Sequence, residues 1–281
     1  MIKFSGFLII IISFAIFFAK CNTYKTQQPV SELGGSCGVA YLTNDMHFKR
    51  EDTLLFNLRF VYFADSINEE VVKYDSIVNG INNFFKESAI QVYNDTSNNL
   101  FVVNTAIKYD MPSFTKYHLM EFQNDSFLTI YIYGTTQPNY INDSRNIMGS
   151  SGGVGCNFLA VRRCNAYTNT IYHELGHCFF LLHTFEPDPT EKGLSLQYGD
   201  KICDLIKSDP VVANKLDSCF VSNDIGIFSK SEVSDYICNI MSYSYTTCRK
   251  CISKVQIARM RFYIHESPAM RMSLKSPHEL Q

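Results

Sequence analysis

Residues 173–185 read HELGHCFFLLHTF and carry three of the chain's seven histidines, with a glutamate directly after the first. In a helix, His173 and His177 lie about one turn apart on the same face. Such a pair can occupy two neighbouring corners of a tetrahedral zinc site. Glu174 lies beside that face, where its carboxylate can take a proton from a water molecule that the metal activates. The alternative is a chance HExxH motif whose histidines are ordinary hydrogen-bonded residues of a helix face.

His183 is the first candidate for a third ligand. It follows His177 by six residues, which places it about 240° further round if the helix continues. It can reach the same metal only if the helix ends and the chain turns back near Phe180. A bulky residue with positive φ in that turn costs roughly 1–2 kcal/mol. Asp200 is therefore the rival third ligand.

The composition is that of a globular protein with one large domain or two lobes. The chain has 281 residues, of which 46% are hydrophobic and 19% charged, and its net charge is -2. No long basic run is present in the sequence, so nucleic acid is excluded as an expected partner. The sequence does not indicate an oligomeric state.

The N-terminus predicts export. An apolar run from Phe4 to Ala19 follows Lys3, which is typical of a secretory signal peptide cleaved after Cys21. The alternatives are an uncleaved N-terminal anchor and a lipid-modified Cys21, the latter giving a surface-anchored lipoprotein. If the signal peptide is removed, only a lipid at Cys21 would attach the mature protein to a membrane. Export also favours disulfides among the ten cysteines, and loss of Cys21 leaves an odd number.

Hydrophobic periodicity predicts a β-α-β unit followed by further strands and two helices. Weak periodicity from Phe185 to Asp235 predicts loops held by disulfides, and the glycine-rich residues 148–155 predict either a loop or an edge strand. The predicted strands are 54–65, 89–94, 126–134 and 158–163, and the predicted helices are 68–88, 170–182 and 252–266.

Segments further along the chain give the motif a family context. The sequence carries Gly199-Asp200, Cys203-Asp204, Asn239-x-Met241-x-Tyr243, Cys248 and Gln256-x-x-Arg259-Met260. Together with the HELGH motif and His183-Thr184-Phe185, these segments resemble the pappalysin (cytophagalysin) family of metzincin metalloproteases. The chain departs from the family pattern at Phe180, where that pattern has glycine, and at CDLIKSDP (203–210), where it has an aspartate-rich loop.

The resemblance implies an α+β fold with two lobes around a cleft. The N-terminal lobe would hold a twisted mixed sheet, a backing helix and the zinc helix. The C-terminal lobe would be irregular, tied by disulfides and closed by a helix. The implied organisation is a signal peptide over residues 1–21, a pro-like segment over 22–52, a metalloprotease catalytic domain over 53–270 and a flexible tail over 271–281.

The resemblance also implies a secreted zinc endopeptidase that acts on peptides or proteins. His183 would complete the zinc site, Glu174 would act as general base, and Tyr243 would approach the metal or the oxyanion. Met241 would lie in a tight turn beneath the metal, which we call the Met-turn. A substrate would pair with the rim at 149–155, unless that segment is a flexible loop. The rival function is an inactive exported metal-binding or adhesion module of the same fold, in which Phe180 blocks the catalytic geometry.

Further roles follow only from the resemblance. Cys37 would be a latency switch that occupies the open zinc position, or else an ordinary disulfide partner. The implied disulfides are Cys203–Cys238 and Cys219–Cys248, with Cys156–Cys164 as a bridge between strands. Asp200 and Asp204 are candidate Ca²⁺ ligands or, alternatively, solvated turn residues. Thr246 and Thr247 bring no acid to the implied S1′ pocket, so no preference for a basic P1′ residue is predicted.

Overall fold

The eleven-residue strand β1 (Leu54–Ala64) forms the centre of a six-stranded sheet. The computed structural model describes residues 53–64, 72–94, 100–104, 124–133, 148–184 and 230–275. The expectations for the signal peptide, the pro-like segment, Cys37, Asp200, Cys203, Asp204 and Cys219 lie outside these residues.

Strands flank β1 on both sides. One edge of β1 pairs in parallel first with β2 (Ile90–Tyr93) and then with β3 (Leu100–Asn104). Its other edge pairs in parallel with β4 (Leu128–Tyr133), which in turn pairs with β6 (Phe158–Arg162). The short strand β5 (Gly149–Ser151) pairs antiparallel with β6 and ends the order β2-β1-β4-β6-β5. The glycine-rich stretch therefore contains an edge strand.

Five helices accompany the sheet in the described residues. They are α1 (Tyr74–Phe84), α2 (Asn169–Cys178), α3 (Lys230–Cys238), α4 (Lys254–Glu266) and α5 (Pro268–Met272). The sequence predicted α1, α2 and α4, whereas β3, α3 and α5 were missed. The α+β class with a mixed sheet is confirmed. Within the described residues, no helix combines the length and apolar character that crossing a membrane requires.

The core lies between one face of the sheet and the helices. Alternate residues of β1 from Leu54 to Tyr62 are buried in it, as the two-residue period of a strand requires. Phe179, at the end of α2, packs against the rings of Phe56 and Phe85 at centroid distances of 5.2 and 5.4 Å. These contacts fix α2 to the sheet and to α1.

The chain beyond α5 returns to β1. Asn57 donates its backbone N–H to the carbonyl of Ser273, and Lys275 donates to the carbonyl of Leu55. Phe56 and Leu274 form an antiparallel bridge between these bonds. The folded part therefore continues to Lys275, past the predicted boundary at residue 270, because these residues satisfy backbone groups of β1.

The cysteine predictions need correction. Cys238 forms its disulfide with Cys251, so the implied Cys203–Cys238 bridge is wrong. The backbone explains the choice, since Lys250 and Cys251 both donate N–H groups to the carbonyl of Cys238. Cys248 is also disulfide-bonded, with a partner outside the described residues, so the Cys219–Cys248 pairing stays a prediction. The Cys156–Cys164 bridge is wrong because both residues are in the thiol form.

Candidate metal centre

Three imidazoles converge beside α2. His173 and His177 lie one turn apart on that helix, and the chain turns back after it to bring in His183. The Nε2 atom of His183 lies 3.2 Å from Nε2 of His173 and 3.0 Å from Nε2 of His177. Among the described residues these three form the one cluster suited to a metal ion.

Backbone carbonyls set the tautomers of two of these rings. Nδ1 of His173 lies 2.7 Å from the carbonyl oxygen of Ile240, and Nδ1 of His177 lies 2.8 Å from that of Leu181. Because a carbonyl only accepts, each Nδ1 carries the proton and each Nε2 presents its lone pair to the centre of the cluster. Burial, then the neighbouring charges of His177, Arg249 and His183, holds the pKa of His173 well below its usual range. The ring is therefore neutral, as a metal ligand must be.

The geometry of the cluster fits zinc. Tetrahedral zinc with Zn–N distances near 2.0–2.1 Å requires ligand nitrogens about 3.3 Å apart. The distances of 3.2 and 3.0 Å between the ring nitrogens lie close to that value. Three imidazole ligands that leave the fourth position to water or substrate are typical of a catalytic rather than a structural zinc site. The rival ligand Asp200 lies outside the described residues.

The turn after α2 is a helix C-cap made without glycine. Phe180 has a φ of 70°, in the left-handed region that glycine usually occupies at this position. The N–H of Phe180 bonds to the carbonyl of His177, and the N–H of Leu181 bonds to that of Gly176. This pair of bonds defines a Schellman motif. The motif reverses the chain, so Phe180 does not prevent His183 from reaching the cluster.

Three residues surround Phe180 and hold it in this conformation. Arg259 of α4 donates its Nε–H to the Phe180 carbonyl at 2.9 Å. The Phe180 ring stacks on Tyr263 with centroids 5.3 Å apart. Gly155 leaves the space on the other side, since a Cβ at that position would overlap the Phe180 ring. The Gly155 N–H also bonds to the carbonyl of His177, at 2.9 Å.

Met241, the methionine of the implied Met-turn, packs against α2 at Gly176, the residue before His177. Its side chain is fully buried and packs against Gly176, where any Cβ would overlap the Met241 sulfur. Asn239 fixes the turn by accepting the Met241 N–H and by exchanging two amide hydrogen bonds with Gln256. Gln256 also closes the capping box of α4 with Ser253. The NxMxY and QxxRM motifs therefore form one hydrogen-bonded unit.

Glu174 is buried beside the cluster, at 7% exposure. Burial raises its pKa to about 7, although a backbone hydrogen bond from Ser151 and the charge of Arg249 act in the opposite direction. Ser151 belongs to the edge strand β5, and Gly149 of the same strand has no side chain to displace the Glu174 chain. The carboxyl group therefore lies against the edge strand, with Arg249 near enough for its charge to act on it.

Tyr243 lies at the mouth of the site. Its ring is 57% exposed and packs edge-on against His183, with centroids 4.7 Å apart. It also lies 6.1 Å from the His173 ring. The structure thus brings Tyr243 to the cluster, as the resemblance implied.

The sequence did not reveal the roles of two arginines near the site. Arg249 reaches within 3.1 Å of Nδ1 of His173, and Arg259 holds the Phe180 turn. Arg259 belongs to the QxxRM motif, which marked it as part of the family pattern. The motif did not indicate that Arg259 bonds to the carbonyl of Phe180. Arg249 follows Cys248 and had no recognisable signal. Asn169 accounts for its position, since it donates to the carbonyls of Thr246 and Arg249.

The fold and the histidine cluster define a metzincin-type metal site, and comparison with known proteins agrees. The peptidase M43 family model, described as pregnancy-associated plasma protein-A, matches residues 154–265. That range contains all three histidines, Glu174, Met241 and the α4 motif. The resemblance found in the sequence is confirmed: residues 154–265 match the model of the peptidase M43 (pappalysin) family.

A solved structure shows the same fold. The chain is similar to mature mirolysin of Tannerella forsythia, solved in complex with a cleaved peptide, with a TM-score of 0.55 and 16% identity over 82% of this chain and 98% of mirolysin. It is also similar to metalloproteinase-II of Bacteroides fragilis, with a TM-score of 0.31 and 14% identity over 53% of this chain and 48% of that chain. A comparison with curated protein sequences gives no match.

Proposed function

We propose that the protein is a secreted zinc-dependent endopeptidase in which His173, His177 and His183 hold the metal. The observation that carries this proposal is that Nε2 of His183 lies 3.2 Å from Nε2 of His173 and 3.0 Å from Nε2 of His177. The Nδ1 atoms of His173 and His177 donate to backbone carbonyls, which fixes these two rings. This arrangement directs three ring nitrogens to a single point. The match to the peptidase M43 family supports the same activity.

Glu174 is proposed as the general base. Zinc, when bound, would supply a Lewis acid that polarises the scissile carbonyl and makes water more acidic. Glu174 takes a proton from the attacking water and then gives it to the leaving amine. A pKa of about 7, raised by burial, suits a group that must both accept and release a proton near neutral pH.

Two further parts of the site are proposed to contact the substrate. Tyr243 presents a phenol beside His183 and His173, from which its hydroxyl can donate to the developing oxyanion. The edge strand β5 offers backbone groups to an extended peptide next to Glu174. The mirolysin structure contains a cleaved peptide, which supports a peptide or protein substrate for this chain.

Export is part of the proposal. The apolar run from Phe4 to Ala19 supports a cleaved signal peptide, and a lipid on Cys21 would instead anchor the protein at a surface. Peptide cleavage outside the cell suits a chain that carries disulfides such as Cys238–Cys251. Ca²⁺ binding at Asp200 and Asp204 stays a prediction.

Proteolysis of an unfolded protein tests the function. The purified full chain, loaded with zinc, is incubated with casein before and after brief trypsin treatment, which would remove an inhibitory pro-segment. We expect casein cleavage that 1,10-phenanthroline abolishes and added Zn²⁺ restores. A chain that binds zinc but cleaves nothing after either treatment would contradict the proposal and favour the inactive metal-binding or adhesion module.

A further inference from the structure

The Cys238–Cys251 disulfide lies beside an open cleft. Cys251 is exposed and Cys238 is half-buried, whereas Cys248, the other disulfide-bonded cysteine among the described residues, is 2% exposed. Cys251 lines a cleft of about 700 Å³, whose other lining side chains include Phe84, Tyr172, Ile257, Lys250 and Glu87. A small molecule from the solvent can therefore reach Cys251.

The surroundings of Cys251 suit attack by a thiol. The anion is the reactive form of a thiol, and Lys250 places a cation in the same cleft. Attack of a thiolate on the sulfur of Cys251 forms a mixed disulfide and releases Cys238 as a thiolate. A second thiol then attacks the mixed disulfide. Cys238 and Cys251 are left reduced, and the two attacking thiols leave joined to each other as a disulfide.

Ile240, two residues after Cys238, connects the disulfide to the metal centre. Its N–H donates to the carbonyl of Cys251 at 2.9 Å, and its own carbonyl lies 2.7 Å from Nδ1 of His173. Asn239 forms a parallel bridge with Cys251 beside these bonds. A shift of Cys251 relative to Cys238 therefore changes the carbonyl that orients the His173 ring.

Met241 extends this connection to the other two histidines. Its buried side chain packs against Gly176, the residue before His177. Its carbonyl accepts the N–H of Thr184, the residue after His183, at 3.3 Å. The four residues 238–241 thus contact a histidine of the cluster or its direct neighbour at each of the three ligand positions.

The backbone around the disulfide can remain paired after reduction. Lys250 and Cys251 donate their N–H groups to the carbonyl of Cys238 at 2.7 and 2.9 Å. These bonds lose their covalent support when the bridge opens, so local opening of residues 238–241 becomes more frequent. The three ring nitrogens then converge for a smaller fraction of the time, and zinc binding weakens because it requires the formed site.

We propose that Cys251 is a thiol-exchange site, where a small thiol opens the bridge to Cys238 and thereby weakens zinc binding by the histidine cluster. The protein with the bridge closed binds zinc more tightly. By linkage, bound zinc makes the bridge harder to reduce by the same factor. This inference rests on the zinc site of the proposed function and not on the cleavage of a substrate.

Trapping with glutathione tests where the exchange occurs. The folded, full-length protein is exposed briefly to reduced glutathione and quenched with N-ethylmaleimide, and its peptides are mapped by mass spectrometry. We expect glutathione on Cys251 and N-ethylmaleimide on Cys238, with the bridge of Cys248 intact. Glutathione on Cys248, or no reaction of the folded protein, would overturn the proposal.

Zinc affinity and reduction potential test the coupling in both directions. Competition with a fluorescent chelator compares oxidised protein with protein that has been reduced by a phosphine and freed from it by gel filtration. We expect reduction to weaken zinc binding at least about tenfold. In mixtures of reduced and oxidised glutathione, the midpoint of the bridge should be at least about 30 mV more negative with zinc bound. This shift is the same tenfold factor for a two-electron couple.

Variants assign the effect to this bridge. The double variant Cys238→Ser/Cys251→Ser should bind zinc as weakly as the reduced wild type, and added reductant should weaken its binding no further. Cys164→Ser, which changes a half-buried thiol outside any disulfide, is the matched control and should keep the wild-type response. Circular dichroism establishes that each variant is folded, and the two wild-type measurements decide the question if the double variant does not fold.

The possible results separate this inference from the proposed function. Equal zinc affinities of the folded oxidised and reduced protein would overturn the inference alone, as would a double variant that binds zinc like the oxidised wild type. Zinc binding without any peptide cleavage would overturn the proposed function alone. Absence of zinc binding would overturn both.

Discussion

The ring of Phe180 occupies the space that Gly155 leaves free, and each residue makes the other's conformation possible. Phe180 takes the left-handed conformation that a helix C-cap normally gives to glycine. A Cβ at position 155 would overlap its ring. Gly155 in turn donates its N–H to the carbonyl of His177, inside the same turn. A bulky residue thus stands where the family pattern has glycine, and Gly155 leaves the space that its ring needs.

The first prediction concerns this pair. Gly155→Ala should lower the affinity for zinc by tenfold or more, because the new methyl group displaces the Phe180 ring and with it His183. Adding Phe180→Gly should restore most of the affinity by removing the overlap. Zinc competition with a fluorescent chelator gives the affinities of the two single variants, the double variant and the wild type.

The control separates overlap from backbone strain. Gly153 also has a positive φ, of 132°, but a Cβ there meets only Cys156 Sγ at 3.6 Å. Gly153→Ala therefore introduces strain without overlap. Equal loss of zinc affinity in Gly153→Ala and Gly155→Ala, or no rescue in the double variant, would show that the two residues are not coupled.

The second prediction concerns Arg259. Its Nε–H bonds to the Phe180 carbonyl, so Arg259→Met leaves that buried carbonyl without its charged donor. We expect the free energy of unfolding to fall by about 1.5–3 kcal/mol and zinc to dissociate faster. Urea unfolding and stopped-flow transfer to a chelator measure the two effects.

Arg271 provides a matched control for this variant, because it is exposed on α5. Arg271→Met should change stability by less than about 0.5 kcal/mol. A zinc dissociation rate that is the same in Arg259→Met as in the wild type would contradict the role of Arg259 in the turn.

The elements that could be predicted from the sequence are those whose signal is local. The alternation in β1 and the helical spacing in α1 reflect faces buried in one core, so their periods are visible in the residues themselves. The short strand β5 has three residues, and its glycine content left a loop and a strand equally open. Only its pairing with β6 decides between them.

The parts of the site that could not be predicted depend on contacts between distant segments. The turn at Phe180 depends on Arg259, Tyr263 and Gly155, which lie 79, 83 and 25 residues away along the chain. Cys238 pairs with Cys251 because the two backbones are already hydrogen-bonded. Neither arrangement leaves a pattern in one stretch of sequence, whereas HELGH is itself such a pattern.

The third prediction decides between the two candidate third ligands. His183→Ala should reduce bound zinc from one equivalent to well below half at micromolar metal, because it removes one of three converging nitrogens. Asp200→Ala should leave the zinc content unchanged. Atomic absorption after gel filtration measures both variants, and the opposite pattern would assign the third ligand to Asp200.

The fourth prediction concerns the corrected disulfide. Cys238→Ser and Cys251→Ser should each lower the free energy of unfolding by about 2–3 kcal/mol, since the bridge closes a short loop; the two cysteines are 13 residues apart. The two variants should be equally destabilised because they break the same bond. Cys164→Ser is the control, as Cys164 is a half-buried thiol outside any disulfide.

Peptide mapping tests the same assignment chemically. Non-reducing digestion should yield a fragment that joins Cys238 to Cys251. A fragment that joins Cys203 to Cys238 would contradict the pairing in the structure.

The fifth prediction concerns Glu174. Glu174→Gln keeps the size and burial of the side chain but removes its ability to accept a proton. We expect kcat to fall by about 10²–10⁴-fold, the usual contribution of a general base. Zinc content should stay at one equivalent, because the three nitrogens of the cluster are untouched. Glu266→Gln, at the exposed end of α4, is the matched control and should retain full activity.

Cleavage of a fluorogenic peptide and metal analysis of the same samples measure both quantities. Full activity in zinc-loaded Glu174→Gln would remove Glu174 from the reaction, whereas loss of zinc together with activity would show that its carboxylate acts through the metal site rather than on the proton.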